Sequence, residues 1–291
     1  MPLEPALKSK TSLNQAFLVY LRQPLERWDI AEGALMIARQ DYPDLETAKI
    51  KLTIMKMAEA LQGRLAPGIS KTQTLDQLNQ FFFEEMGFKG NSDNYDDPRN
   101  SYLPDVLERK LGIPISLSAL YLKLAWESGI PLFGINFPGH FLVAWKESEI
   151  KVEKNIYIDV FNGGKILSVE ELKEMLAKRF GRKTKLEPIT HLRNAGVRDI
   201  LHRMLANLKV IHVSHDRVAR ALWAAEWMIL LKPQDFDSLR DKGMFCYSLG
   251  RLKEAEEALA EYLEKTQKPP DFSHVWKVLY EIRAQNPVHL N

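Results

Sequence analysis

Ser116, His140 and Asp159 are residue types that together can remove a proton and attack a carbonyl, and they lie in one short part of the chain. His140 follows Pro138-Gly139 in "FPGHFLVAW" (137–145), where a turn opens into an apolar run. Asp159 comes 19 residues later, at the end of "NIYID". If the two runs are strands that fold back near 149–150, residues whose numbers sum to 299 lie opposite each other, and His140 and Asp159 are such a pair. Opposed residues hold their Cβ atoms about 4.5–5.5 Å apart. A carboxylate at that distance fixes the imidazole tautomer and stabilises its cation. The plainer reading is a polar cross-strand pair, and a register slip of one residue would send the two side chains to opposite faces. Ser116 opens a helical pattern, where unpaired N–H groups and the helix dipole favour an anion. With His140 as base its hydroxyl would be the nucleophile of a hydrolase or acyltransferase acting on amides or esters. The plainer alternatives are a helix N-cap, worth about 1 kcal/mol, and a hydrogen bond to substrate.

These residues need particular elements to hold them. "IPISLSALYLKLAWESGIP" (113–131) carries an apolar face at helical spacing, with Ser116 as the expected N-cap, Gly129 where a left-handed C-cap falls, and Pro131 beyond it. "LFGINF", "HFLVAW" and "NIYIDVF" are short and rich in aromatic and β-branched residues, so strands are expected within 132–161. Upstream, residues 11–65 and "TLDQLNQFFFEEMGF" read as amphipathic helices, the latter with Thr74 as N-cap. A polar loop, "KGNSDNYDDPRNSY" (89–102), separates them from a short helix ending at Gly112. "SVEELKEMLAKRFG" is helical, with Ser168 and Glu171 spaced as a capping box. From about 190 onward the whole pattern is helical. Ala221/Ala255 and Ala224/Ala258 repeat at 34 residues, Pro233 and Pro269 close the two units, and Gly243 falls where two helices would approach. That period is the one tetratricopeptide helix pairs show.

The residues "NSYL…VLERKLGIPISLSALYLKLAWESGIPLFGINFPGHFLVAW…IYIDVFNGG" resemble the bacterial SirB-one family, from about residue 30 to the C-terminus and most densely over 86–165. The resemblance implies an α+β, predominantly helical fold: a transglutaminase-like (papain-like) core with a small antiparallel sheet, then an α-helical tetratricopeptide-like region. The expected domains are 1–188, with the core helix at 116–128, and 189–291. In the wider superfamily the catalytic set is Cys at a helix start, His on one strand and Asp on the next. His140 and Asp159 match the last two, and the Cys position falls on Ser116, with Ser118 the second placement. A thiol brought to pKa about 3.5–7.5 rests as a thiolate, whereas a serine hydroxyl does not. The resemblance therefore implies a protein without the usual nucleophile, acting in protein–protein interaction or regulation through its cleft and repeats; the alternative is a Ser-His-Asp hydrolase or acyltransferase.

The totals narrow the classes. The 291 residues suffice for one large or two ordinary domains. Forty Lys and Arg stand against 38 Asp and Glu, for a net charge of +2, which gives no pull toward nucleic acid or membrane. The single cysteine, Cys246, forbids an intramolecular disulfide and a cysteine zinc cluster and fits a reducing cytoplasm. It falls mid-helix and reads as a small buried hydrophobe. "MPLEPALKSKTSLNQ" lacks the apolar run of a signal peptide. "HVSHD" puts His212 and His215 on one helical face, but two histidines do not make a zinc site. "SDNYDD" lacks calcium-loop spacing, and the basic run "KRFGRKTK" (178–185) reads as a solvated linker. No cofactor and no metal is expected; a protein or peptide partner is.

Overall fold

The computed structural model describes residues 4–148, 151–181, 183–267 and 269–285, with side chains from Leu13 onward. The helices are α1 (Glu4–Leu21), α2 (Ile30–Ala38), α3 (Thr47–Gln62), α4 (Lys71–Asn79), α5 (Leu103–Arg109), α6 (Pro114–Glu127), α7 (Val169–Phe180), α8 (Pro188–His191), α9 (Val197–Ser214), α10 (Val218–Leu231), α11 (Phe236–Ser248), α12 (Leu252–Thr266) and α13 (Phe272–Gln285). The strands are β1 (Lys89–Gly90), β2 (Leu111–Gly112), β3 (Phe133–Ile135), β4 (Leu142–Trp145), β5 (Ile156–Asp159), β6 (Lys165–Leu167) and β7 (Asn194–Ala195). The fold is α+β and mostly helical. Contacts divide it into two compact units, 1–204 and 205–291. The boundary of 188/189 expected from the sequence precedes β7, which pairs with β3 and so belongs to the first unit.

In the first unit a five-stranded antiparallel sheet has the order β6-β5-β4-β3-β7, and β1 and β2 form a separate parallel pair. One face of the sheet, carrying Leu142, Ala144 and Tyr157, packs on Leu172 and Leu176 of α7. That helix starts at Ser168 with the expected capping box to Glu171.

Helix α6 is the most deeply set element. Ile115, Leu117, Ala119, Leu120, Tyr121, Leu122 and Leu124 are all buried. Its C-terminus closes as expected. Gly129 takes φ +76°, the Ile130 N–H bonds Ala125 O at 2.8 Å and the Gly129 N–H bonds Trp126 O at 3.1 Å, which is a Schellman motif. Its start differs from expectation. Pro114 occupies the first helical position, where its missing N–H costs nothing, so the helix begins two residues earlier and Ser116 is not the N-cap. Helix α4 likewise is capped by Ser70 with Gln73, not by Thr74, whose hydroxyl bonds back to Ser70 O. Helix α5 stops at Lys110, in the left-handed region at φ 61°, short of the expected Gly112.

In the second unit α10 to α13 form the helical hairpins that the 34-residue period predicts. Ala221, Ala224, Ala255 and Ala258 are all buried. A Cβ on Gly243 would stand 2.6 Å from two carbons of Leu259, so glycine is what lets α11 and α12 approach. Cys246 is buried in that core among Leu259, Val275 and Leu279.

Candidate functional site

The structure brings His140 and Asp159 together. His140 Nε2 lies 2.9 Å from Asp159 Oδ1. The strand register is not the one expected: Val143 pairs with Ile158 and Ala144 with Tyr157, so opposed numbers sum to 301. The expected turn at 149–150 lies outside the described residues. A slip of two residues keeps every side chain on its face. It makes His140 and Asp159 diagonal neighbours rather than opposed ones, a separation of about 7–8 Å that an imidazole can span. Asp159 follows Tyr157 by two residues and therefore shares the face that packs on α7.

Asp159 is 3% exposed. Asn162 supplies its other donors: the backbone N–H bonds Oδ1 at 3.2 Å and the side-chain amide bonds Oδ2 at 2.8 Å. Burial alone would push this carboxyl up. The His140 ring and the Asn162 donors outweigh burial and hold it below the usual aspartate value. Beside it, an open depression of about 500 Å³ is lined by Asp159, Asn162, Lys165, Glu171, Glu174 and Lys178, among others. The His140 side chain is 15% exposed, and its ring meets the edge of Phe161 with centroids 6.3 Å apart. Because Nε2 is held by Asp159, Nδ1 is the nitrogen left for acid–base work.

Ser116 is placed differently. Its side chain is fully buried. The hydroxyl donates to Asn100 O and accepts from the Ile113 N–H at 3.0 Å. It thus serves the start of its own helix and anchors the preceding loop. Among the described residues no hydrogen bond joins it to His140. Contacts run from Ser116 to Gly112, across the strand pair to Gly90, and on to Phe161, whose ring meets His140. Ser118 is also fully buried, and among the described residues its Oγ has no hydrogen-bond partner.

Asn100 lies in the polar loop 89–102, which the sequence marks only as turn-rich. It proves to organise the site. It is fully buried, accepts from Asn91 Nδ2 at 3.0 Å, and donates to Asn94 O at 2.7 Å. Beside it the Asp97 carboxylate is buried between Arg99 and Arg109. Burial alone would push Asp97 up, but the two arginines outweigh it and hold Asp97 below its usual value. The oxygen-rich loop is thereby closed with arginines. Among the described residues no group of three or more His, Cys, Asp or Glu could hold a metal. His212 is buried, and His215 Nδ1 bonds Ile211 O at 2.8 Å.

Residues 48–206 match the transglutaminase-like superfamily, and residues 208–279 match the tetratricopeptide repeat. The UPF0162 protein of Xylella fastidiosa (strain 9a5c) is 36% identical over 248 residues, 82% of this chain and 84% of that protein. The UPF0162 protein of Vibrio cholerae is 30% identical over 227 residues, 78% of this chain and 82% of that one. Human F-box only protein 21 is 36% identical over 142 residues, 47% of this chain but 22% of that protein.

Proposed function

The chain belongs to the transglutaminase-like superfamily, in the group of the bacterial UPF0162 proteins, and we propose that it is a non-catalytic member which acts by binding a protein or peptide. The depression beside Asp159 and the tetratricopeptide region are the surfaces that would serve. One observation carries this reading: the Ser116 hydroxyl is buried, donates a hydrogen bond to Asn100 O and accepts one from the Ile113 N–H. A nucleophile needs that hydroxyl exposed and within hydrogen-bond reach of its base. Tetratricopeptide hairpins support the interaction side of the proposal, since helix pairs of this kind present surfaces to peptides and partner helices. Trp276 and Tyr280 of α13 are exposed there, at 50% and 69%. The single cysteine, buried in the fold, fits action in a reducing cytoplasm.

The intact His140–Asp159 pair favours a second reading, a serine hydrolase or acyltransferase on amides or esters with Ser116 as nucleophile. A fluorophosphonate probe separates the two. The proposal predicts the same labelling in the wild type and in Ser116→Ala; labelling lost in Ser116→Ala would overturn it. Partner binding unchanged in a Trp276→Ala, Tyr280→Ala double variant would remove α13 from the interaction surface.

A further inference from the structure

Two arginines converge on the turn that leads into His140. Arg203, on α9, donates from Nη1 to Asn136 Oδ1 at 2.7 Å. Arg179, in the last turn of α7, lies across Gly139. A Cβ built on Gly139 would stand 2.4 Å from Arg179 Nε and 2.7 Å from Cζ. With φ at +76°, the backbone there favours glycine as well. On the other side, Tyr95 meets the edge of Phe161 at 6.0 Å between centroids, and Phe161 meets His140. Tyr95 is partly exposed, and its phenol lies in the field of both guanidinium groups.

Neither arginine has a carboxylate partner among the described residues. Arg179 lies 5.7 Å from the Phe180 ring centroid, and Arg203 bonds only the neutral Asn136 amide. Asp96 acts on Tyr95 but forms no ion pair with either arginine among the described residues. Arg203 is half-buried, and its desolvation first, then the Arg179 charge, pull its guanidinium below its usual value. Two like charges close together, one partly desolvated and uncompensated, are unfavourable unless an anion completes the site. Guanidinium forks match planar and tetrahedral oxyanions in bidentate geometry.

We infer that Arg179 and Arg203, together with the Tyr95 hydroxyl, form a binding site for an oxyanion, a carboxylate or a phosphate, at the mouth beside His140. The site gives a peptide or small-molecule ligand a charged handle next to the imidazole. It does not depend on whether Ser116 is inert, so a fluorophosphonate result bears on the earlier reading and leaves this one standing.

The test titrates the full-length protein at fixed ionic strength with inorganic phosphate and, separately, with acetate and with a peptide ending in a free carboxylate. Its amidated form and chloride are the controls, and the arginine Nε–H signals are followed by nitrogen-15 NMR. The inference predicts saturable shifts at Arg179 and Arg203 with phosphate, with the carboxylates, or with both. Phosphate alone identifies a phosphorylated ligand, and the free-carboxylate peptide identifies a chain end. Affinity falls about 10-fold or more when one charged donor is removed. Arg179→Gln is the primary variant because it is exposed and leaves the Arg203–Asn136 bond in place; Arg203→Gln is the second. No saturable shift with any of the three anions overturns the inference. Unchanged affinity in Arg179→Gln does so too.

Discussion

Ser116 and Ser118 are two buried hydroxyls two residues apart in one helix, but only one of them has hydrogen-bond partners to lose among the described residues. Ser116→Ala leaves the Ile113 N–H and the Asn100 carbonyl without their buried partner, which costs about 1–3 kcal/mol. Ser118→Ala removes a hydroxyl that has no hydrogen-bond partner among the described residues and is neutral or stabilising. Urea denaturation of the two variants checks this, and equal losses would contradict it. His140→Ala leaves the Asp159 carboxylate with Asn162 alone and costs about 2–3 kcal/mol at neutral pH, the scale of a hydrogen bond to a charged group. The folded Asp159 titrates below the unfolded value of about 3.9. Its contribution is therefore complete above about pH 4 and is lost as pH falls through the folded value. The gap between wild type and His140→Ala should accordingly close on acidification below about pH 4, in urea midpoints measured across pH.

At the level of elements, Gly243→Ala tests the packing of α11 on α12. Inside a helix alanine ordinarily gains about 1 kcal/mol over glycine. Here the added methyl meets Leu259 at 2.6 Å, and overpacking of this kind costs about 1–3 kcal/mol. The substitution should therefore lower the thermal midpoint, and an increase would show that the hairpin can yield. The same elements show what the sequence can specify. Helices α6, α7 and α10 to α13 were legible because ten or more residues carry a full helical period. Strands β1, β2 and β7 were not, because two residues carry no period and form only where β-pairing partners are already in place. His140 and Asp159 were legible from the strand pattern. Their exact register was not, since a two-residue slip preserves every side chain's face. Asn100, Asn162 and Tyr95 went unread as site residues because the polar loop 89–102 and the turn after β5 look like connectors until distant segments close around them. Ser116 looked like an N-cap because its type fits one; Pro114 takes the helix start instead.

Across the whole chain, acid should act on the two units in different pH ranges. His212, buried in unit 205–291, is pushed down to about 4, by burial first and then by Arg217 and His215. A histidine held neutral in the fold but free to charge at about 6.5 when unfolded stabilises the protein above about pH 6.5. That contribution is lost progressively as pH falls toward about 4 and changes no further below it, a total on the order of 3 kcal/mol. The Asp159 contribution in unit 1–204 begins to fail only below that range. Amide exchange followed region by region should therefore show 205–291 loosening first on acidification. His212→Leu should flatten that early limb, and simultaneous loosening of both units in the wild type would refute the assignment. The resemblance to the SirB-one family, drawn from the residues alone, agrees with the matches over 48–206 and 208–279.

Position 116 serves the helix start and the loop rather than the imidazole. Placing a thiol there tests it: the ultraviolet absorbance of the thiolate is titrated in Ser116→Cys, with and without His140→Ala. The wild type supplies the baseline, because its Cys246 thiol is buried and raised by that burial. A thiol at 116 should ionise at or above the ordinary value of about 8.5 and ignore the loss of His140. A thiolate already present at neutral pH, and abolished by His140→Ala, would contradict it.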